Sequence, residues 1–189
     1  MSKTNDNKAI TRPFLKLTHQ GALTALQGAV AKAEALGVPQ NITIVDDGGN
    51  LLAYVRMDGA KLLSAETSKS KAITAASHRQ PTSRLDPKLE VKLAIAAGGR
   101  LTNLEGGLPI IINGVCVGAV GVGSGTGAQD VEVARAALAA LGAEDQQLAA
   151  GWHDRAGRQH IDARGLVAGR RAIHQLPATH LHRLLAQIR

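Results

Sequence analysis

The chain has 189 residues, of which 44% are hydrophobic and only 2% aromatic, and its formal net charge is +7. This length supports one domain with a sizeable core and leaves little room for a second. The scarcity of aromatic side chains argues against a nucleic-acid binder that stacks bases, whereas the positive charge favours anionic partners without choosing among them.

Cysteine usage and hydropathy indicate the compartment. The single cysteine, Cys116, excludes an internal disulfide and fits a reducing environment. The first residues contain no apolar run of signal-peptide length, and no other stretch approaches the length of a membrane span. We therefore expect a cytoplasmic protein that does not bind membranes.

The first half of the chain predicts a helix, a hairpin and a second helix. The first helix begins after Thr18 as N-cap and ends at Gly37, with an apolar stripe of Leu23, Leu26, Val30 and Ala33. Two alternating segments flank residues 46–50, DDGGN, which tolerate the backbone of a hairpin turn. The second helix ends before Pro81 and can lie close on a sheet through Ala65, Ala72 and Ala76.

The second half repeats this order. A short amphipathic helix is predicted between Pro87 and Ala97, followed by a glycine-rich connection. Asn113-Gly114 between two apolar runs is a strong hairpin signal. The last helix has an apolar stripe of Val131, Ala134, Leu138 and Leu141. Because hairpins join the strands in pairs, we expect an antiparallel sheet with helices on both faces.

Composition changes after Gly142, where five histidines and the only tryptophan occur. We therefore divide the chain into a flexible N-terminal arm, 1–14, a domain, 15–142, and a basic, His-rich C-terminal extension, 143–189. The histidines of this extension are spaced too irregularly for a closed metal site. Arg170-Arg171 adds local charge, but no recognition motif accompanies it, so nucleic acid is not an expected partner.

Four motifs occur in a characteristic order: VDDGGNLLAYVRMDGA at 45–60, SKSKAITAA at 68–76, GGLPI at 106–110 and GAVGVGSGTGAQD at 118–130. Together they resemble the GlcG/HbpS family of haem-binding or "haem-degrading" domains. That family is similar to the C-terminal domain of PduO-type adenosyltransferases. The resemblance covers roughly residues 15–142.

This resemblance implies an α+β fold, a three-layer α-β-α sandwich on a five-stranded antiparallel sheet, profilin-like. It also implies assembly into homo-oligomers and, as in some members, haem binding. The chain departs from the family at Ser77-His78, where an aromatic residue is usual. It also has no signal peptide like those of extracellular members, so secreted iron-sensing roles transfer poorly.

The glycine-rich run between the last strand and the last helix has two interpretations. Gly123, Ser124, Gly125 and Thr126 can present backbone N–H groups to an anion at a helix N-terminus. Alternatively, the glycines only permit a tight turn and close packing. We expect Gly121 and Gly123 to serve a subunit interface or a pocket rather than the fold of an isolated subunit.

Three further residues complete the predicted anion pocket. Arg56 can clamp a carboxylate with two hydrogen bonds, as a haem propionate or an organic acid requires. Lys71 lies three residues before Thr74, so both share a helix face. In the competing interpretation Lys71 is simply solvated.

Catalytic and haem-binding candidates are few. Asp58 either caps the helix that follows it or, like Lys71, transfers protons. His19 and His78 are the histidines of the domain and are candidate axial ligands of haem iron. Cys116 lies in an apolar run and is expected to be a buried strand residue rather than a nucleophile.

These observations predict a cytoplasmic, homo-oligomeric protein that binds a small anionic ligand, either haem or an organic acid. The alternative is an auxiliary enzyme of small organic-acid or aromatic catabolism that acts on a carboxylate substrate through Asp58 or Lys71.

Overall fold

The computed structural model describes Ile10, residues 14–143, Asp145, and two short strands further along the chain. The chain divides into two units, Met1–Gln146 and Gln147–Arg189. In the second unit, β5 (Trp152–His153) and β6 (Gln159–His160) pair antiparallel. Most of the predicted N-terminal arm and C-terminal extension lie outside the described residues.

The first unit contains four helices and a four-stranded antiparallel sheet. The helices are α1 (His19–Ala35), α2 (Ser64–His78), α3 (Glu90–Ala96) and α4 (Gly127–Leu141), and a 3₁₀ turn spans Thr82–Arg84. The strands are β1 (Asn41–Asp46), β2 (Leu51–Arg56), β3 (Gly107–Ile112) and β4 (Val115–Gly123), in the order β2-β1-β4-β3. The predicted order of elements is confirmed, whereas the fifth strand and the profilin-like label are not. Among the described residues, no helix is long and apolar enough to cross a membrane.

Local turn chemistry forms both hairpins. Asp46 Oδ1 accepts hydrogen bonds from the backbone N–H groups of Gly48 and Asn50, at 2.9 and 2.8 Å, which closes the β1–β2 turn. Asn113 and Gly114, between β3 and β4, have φ angles of 50° and 72°. Positive φ at both central residues is the requirement of a type I′ hairpin turn, so the Asn-Gly signal is confirmed.

Helices cover both faces of the sheet. In β1, Ile42 and Ile44 belong to the apolar cluster built with α1 and α4, whereas Val45 packs with the alanines of α2. Thr43, which faces α2, shares a hydrogen bond of 2.9 Å with Ser68. Because successive strand residues point to opposite faces, α1 and α4 form one layer and α2 forms the other.

The packing of α1 differs from the predicted stripe. The buried face consists of Ala22, Ala25, Ala29 and Ala33, whereas Leu23 is 43% exposed and Leu26 and Val30 are only partly buried. A Cβ at Gly28 would lie 2.6 Å from the Cβ of Ala140 on α4. The two helices therefore approach each other through their smallest residues, which moves the leucines to the margin.

The glycines of β4 allow α2 to lie close on the sheet. A Cβ at Gly121 would overlap the backbone of Ser68 and Ala72, and one at Gly123 would lie 3.0 Å from Thr67 Oγ1. Both contacts are made within one chain. For Gly121, the expectation of an interface or pocket role rather than a role in the fold is therefore wrong, because its missing side chain sets the distance between α2 and β4. For Gly123 it stays a prediction.

Replacing Gly121 by Ala should lower the free energy of unfolding by about 1–3 kcal/mol, because the new Cβ meets backbone atoms that cannot rotate away. Gly123→Ala is the matched control on the same strand face. Gly123→Ala should lower the free energy of unfolding less, because the atom nearest to its new Cβ is the hydroxyl oxygen of Thr67. Urea unfolding followed by circular dichroism measures both, and equal losses would contradict this explanation.

Candidate functional site

A buried ion pair links α2 to the start of α4. Lys71 Nζ donates to Asp130 Oδ2 at 2.7 Å and to the carbonyl oxygen of Val122 at 2.7 Å. The two side chains are only 5% and 4% exposed. Since α2 and α4 cover opposite faces of the sheet, this pair connects the two helical layers.

The second oxygen of Asp130 is also bound. Asp130 Oδ1 accepts from the backbone N–H of Gly125 at 3.0 Å, and Gln40 Oε1 lies 3.2 Å from the same N–H. Burial raises the pKa of Asp130, and the hydrogen bond and charge of Lys71, the Gly125 N–H and the Gln40 side chain oppose this rise. Desolvation is the largest of these effects, so the net pKa of Asp130 is raised although its neighbours stabilise the charged form.

Two glycines provide the space for this pair. A Cβ at Gly106, which has a φ of 106°, would lie 2.6 Å from Asp130 Cβ and 3.3 Å from Lys71 Nζ. A Cβ at Gly107 would overlap the backbone carbonyl of Lys71. The GGLPI motif thus positions β3 directly against the ion pair.

The glycine-rich run ends in a helix cap. Thr126 Oγ1 accepts from the N–H of Gln129 at 3.3 Å, and Gln129 Oε1 accepts from the N–H of Thr126 at 2.9 Å. This reciprocal capping box, together with the Gly125 contacts, engages the backbone N–H groups of Gly125 and Thr126 with side chains of the chain itself. The geometry favours the structural interpretation of these glycines over an open anion cradle.

A cleft of about 360 Å³ opens beside this loop, and we name it the glycine-loop cleft. Its lining includes Lys61, Thr67, Lys71, Glu105, Ser124 and Asp130. Of the predicted ligand-binding residues, Lys71, Ser124 and Gly125 line it. Sequence reasoning missed Asp130 and Glu105, although the motifs at 106–110 and 118–130 border both. The lining holds two lysines and two carboxylates, so it is not the predicted cationic pocket.

Arg56 and Thr74 are not among the residues that line this cleft. Arg56 is exposed at the end of β2 and pairs with Asn41, which pairs on its other side with Gly123 beside the glycine loop. Thr74 is buried and lines a second cleft of about 300 Å³ beside the β1–β2 turn, which we name the hairpin cleft. The Thr74 hydroxyl donates to the carbonyl of Ser70 at 2.7 Å and accepts from the N–H of Thr102 at 3.1 Å. Lys71 and Thr74 therefore line different clefts, and the grouping of Arg56, Lys71 and Thr74 around one ligand stays a prediction.

The position of Asp58 relative to α2 tests its predicted role as a helix cap. Asp58 is exposed in a turn, and α2 begins only at Ser64, with Leu63 as an N-cap that makes no side-chain hydrogen bond. The expected cap at Asp58 is therefore wrong, because three non-helical residues separate Ala60 from the first residue of α2.

At Cys116, burial raises the pKa of the thiol, and its Sγ lies 3.4 Å from the carbonyl oxygen of Gly118. This environment disfavours the thiolate and agrees with a non-nucleophilic cysteine.

The two candidate haem ligands lie at helix ends. His19 is the exposed first residue of α1, and exposed Phe14, Leu15 and Leu23 are close to it in sequence. His78 is the half-buried last residue of α2. Among the described residues, no group of three or more His, Cys, Asp or Glu side chains is arranged to hold a metal ion.

Comparison with known proteins decides the family. Residues 17–139 match the family model described as "Haem degrading protein HbpS-like". The chain belongs to the HbpS-like family. It is 39% identical to GlcG of Escherichia coli K12 over 107 residues, which are 56% of this chain and 80% of GlcG. It is 30% identical to the corrinoid adenosyltransferase PduO of Citrobacter freundii over 144 residues, 74% of this chain but 43% of PduO.

Solved structures of similar proteins share the fold. HbpS is 34% identical with a TM-score of 0.63, and the match covers 70% of this chain and 95% of HbpS. Klebsiella pneumoniae ORFY is 31% identical with a TM-score of 0.67, covering 76% of this chain and all of that one (100%). A PduOC:heme complex is 27% identical with a TM-score of 0.64, covering 69% of this chain and 98% of PduOC. The resemblance found in the motifs is confirmed.

Replacing Lys71 by Met should destabilise the fold by about 3–5 kcal/mol at neutral pH, because it leaves the buried Asp130 carboxylate without its cation. The pKa of Asp130, already raised by burial, rises further when Lys71 no longer lowers it. Between the pKa of Asp130 in the unfolded chain and this raised pKa, the folded chain holds a proton that the unfolded chain lacks, so the deficit should shrink as the pH falls through that range.

Urea unfolding at a series of pH values tests this expectation. Lys69→Met removes an exposed lysine from the same helix and serves as the control. A deficit of the same size in both variants, or one in Lys71→Met that does not change with pH, would contradict the role of the pair.

Proposed function

We propose that this HbpS-like protein binds haem at the surface around His19 and works as a self-associating small-ligand protein. The observation that carries the proposal is the similar structure of PduOC, which has been solved as a complex with heme. A cytoplasmic location remains a prediction from cysteine usage.

The residues near His19 fit such a ligand. Haem iron is commonly bound by a histidine, and the exposed imidazole of His19 is accessible. Exposed Phe14, Leu15 and Leu23 supply apolar surface for the macrocycle. Lys16 lies over the Phe14 ring, 5.7 Å from its centroid. Its exposed ammonium group pairs with Asp47 at 3.1 Å and would exchange this partner for a propionate. When bound, haem would supply the redox chemistry of its iron, and the chain would supply the ligand atom and these contacts.

The glycine-loop cleft fits haem less well. The described residues that line it include no His, Met, Tyr or Cys to bind the iron, and most of them are polar or charged. His78 is the second candidate, but its imidazole is half-buried at the end of α2. We therefore propose that His19, rather than His78, would bind the haem iron.

Exposed apolar residues support self-association. Helix α3 buries none of its residues, and Val91 and Ile95 are 68% and 76% exposed. Leu62, Leu63 and Leu89 are exposed as well. Large apolar side chains without cover mark protein contacts. We propose that a second copy of the chain covers α3.

Titration with haemin should give a saturable Soret shift at stoichiometric loading. His19→Ala should weaken haem binding at least about tenfold, because loss of a ligand to iron exceeds the usual effect of losing a supporting group. His78→Ala, the matched control, should bind like the unmodified protein. Broadening that never saturates and does not change in His19→Ala would contradict the proposal.

Ile95→Lys should reduce the native mass measured by light scattering, because a buried lysine without a partner opposes association. Circular dichroism should not change, since Ile95 is exposed within one chain. Lys92→Ala, on the same helix, is the control and should keep the native mass. A native mass that is the same in Ile95→Lys and the unmodified chain would exclude α3 from the contact.

A further inference from the structure

The glycine-loop cleft has features that the haem proposal does not use. Its base holds the buried side chains of Lys71 and Asp130, and Glu105 and Lys61 are exposed at its edge. Its volume of about 360 Å³ lies at the lower end of the range of ligand pockets, so the cleft suits a small ligand.

The cleft offers both hydrogen-bond donors and acceptors. A lysine ammonium has three N–H donors, and Lys71 uses two of them for Asp130 and Val122, which leaves the third for a ligand. Ser124 Oγ accepts the N–H of Lys61 at 3.0 Å, so its own hydrogen can be donated. Thr67 donates to the carbonyl of Ser64 at 3.3 Å and keeps its lone pairs for an incoming hydrogen.

The charge balance selects the class of ligand. Lys61 and Lys71 are matched by Glu105 and Asp130, so an anion entering the cleft would approach two carboxylates as well as two ammonium groups. A carboxylate ligand only accepts hydrogen bonds and cannot satisfy Glu105. A hydroxyl group both donates and accepts, so adjacent hydroxyls satisfy adjacent donors and acceptors without adding charge.

We propose that the glycine-loop cleft binds a small neutral polyol, from the size of glycerol to that of a monosaccharide. Lys71 donates its third N–H to one ligand hydroxyl, and Thr67, Ser124 and Glu105 bind its neighbours. Because Lys71 and Asp130 are already held by Val122, Gly125 and each other, little ordering is needed on binding. This site is separate from the haem proposal and does not depend on it.

The test is an NMR titration of the haem-free, ¹⁵N-labelled full chain with glycerol, erythritol, xylitol and glucose. Glycerate is the anionic probe, because it differs from glycerol only in the carboxylate. At least one polyol should shift the amide signals of Lys61, Gly125 and Gly127 saturably, and glycerate should bind more weakly than glycerol. Failure of all four polyols to saturate these signals, or tighter binding of glycerate than of glycerol, would overturn the proposal.

Two variants locate the site. Thr67→Val removes a hydroxyl from the cleft and should weaken polyol binding about fivefold, the effect of one hydrogen bond. Thr24→Val is the matched control, because the Thr24 hydroxyl also donates to its own helix, to the carbonyl of Gln20, but lies outside the cleft. Equal weakening in both variants would overturn the assignment. His19→Ala should bind polyols as tightly as the unmodified protein. Polyol binding can therefore be measured and interpreted even if the haem proposal fails.

Discussion

The buried contact between Lys71 and Asp130 is the constraint on which the arrangement of this domain depends. The two residues are 59 positions apart in sequence and belong to helices on opposite faces of the sheet, yet their charged atoms lie 2.7 Å apart. Removing two charges from water costs several kcal/mol per ion, so the pair persists only with good geometry and additional hydrogen bonds. The carbonyl of Val122 and the backbone N–H of Gly125 supply these bonds. Glycine is needed at positions 106 and 107 because a Cβ at Gly106 would contact the side chains of Asp130 and Lys71, and a Cβ at Gly107 would overlap the backbone carbonyl of Lys71.

Small residues also allow close packing between elements elsewhere in the fold. The alanine face of α1 and Gly28 bring α1 against α4, and Gly121 brings α2 against β4. Aromatic residues are only 2% of the chain, so dispersion contacts are gained by short distances between backbones rather than by large side chains. A core of this kind has little freedom to repack, because a Cβ added at these glycines meets backbone atoms.

Local features of the fold could be predicted from the sequence, and distant ones could not. The Asn113-Gly114 turn and the Thr18 cap depend on residues that are neighbours in the chain, so their chemistry is visible in the sequence. Apolar periodicity predicts that the leucines of α1 are buried, because leucine is more hydrophobic than alanine. The short distance between α1 and α4 instead favours the face that carries alanines. At the site, Lys71 was found, but its partner Asp130 was missed, since only the folded chain brings them together. The spacing of Lys71 and Thr74 predicts that they share α2, but it does not show that they line different clefts.

The two proposed ligand regions lie at opposite ends of the sheet. Asn41 pairs with Gly123 beside the glycine loop, and Asp46, at the other end of β1, pairs with Gly118. At about 3.3 Å per residue, the six residues of β1 separate these ends by roughly 17 Å. Lys16 pairs with Asp47, which places the segment before α1 at the hairpin end. His19 begins α1, and α1 packs through Gly28 against Ala140 of α4, the helix that contributes Asp130 to the glycine-loop cleft. Within one chain the close contact between α1 and α4 therefore joins the elements that carry the two proposed ligand regions, and a Cβ at Gly28 would force that contact apart.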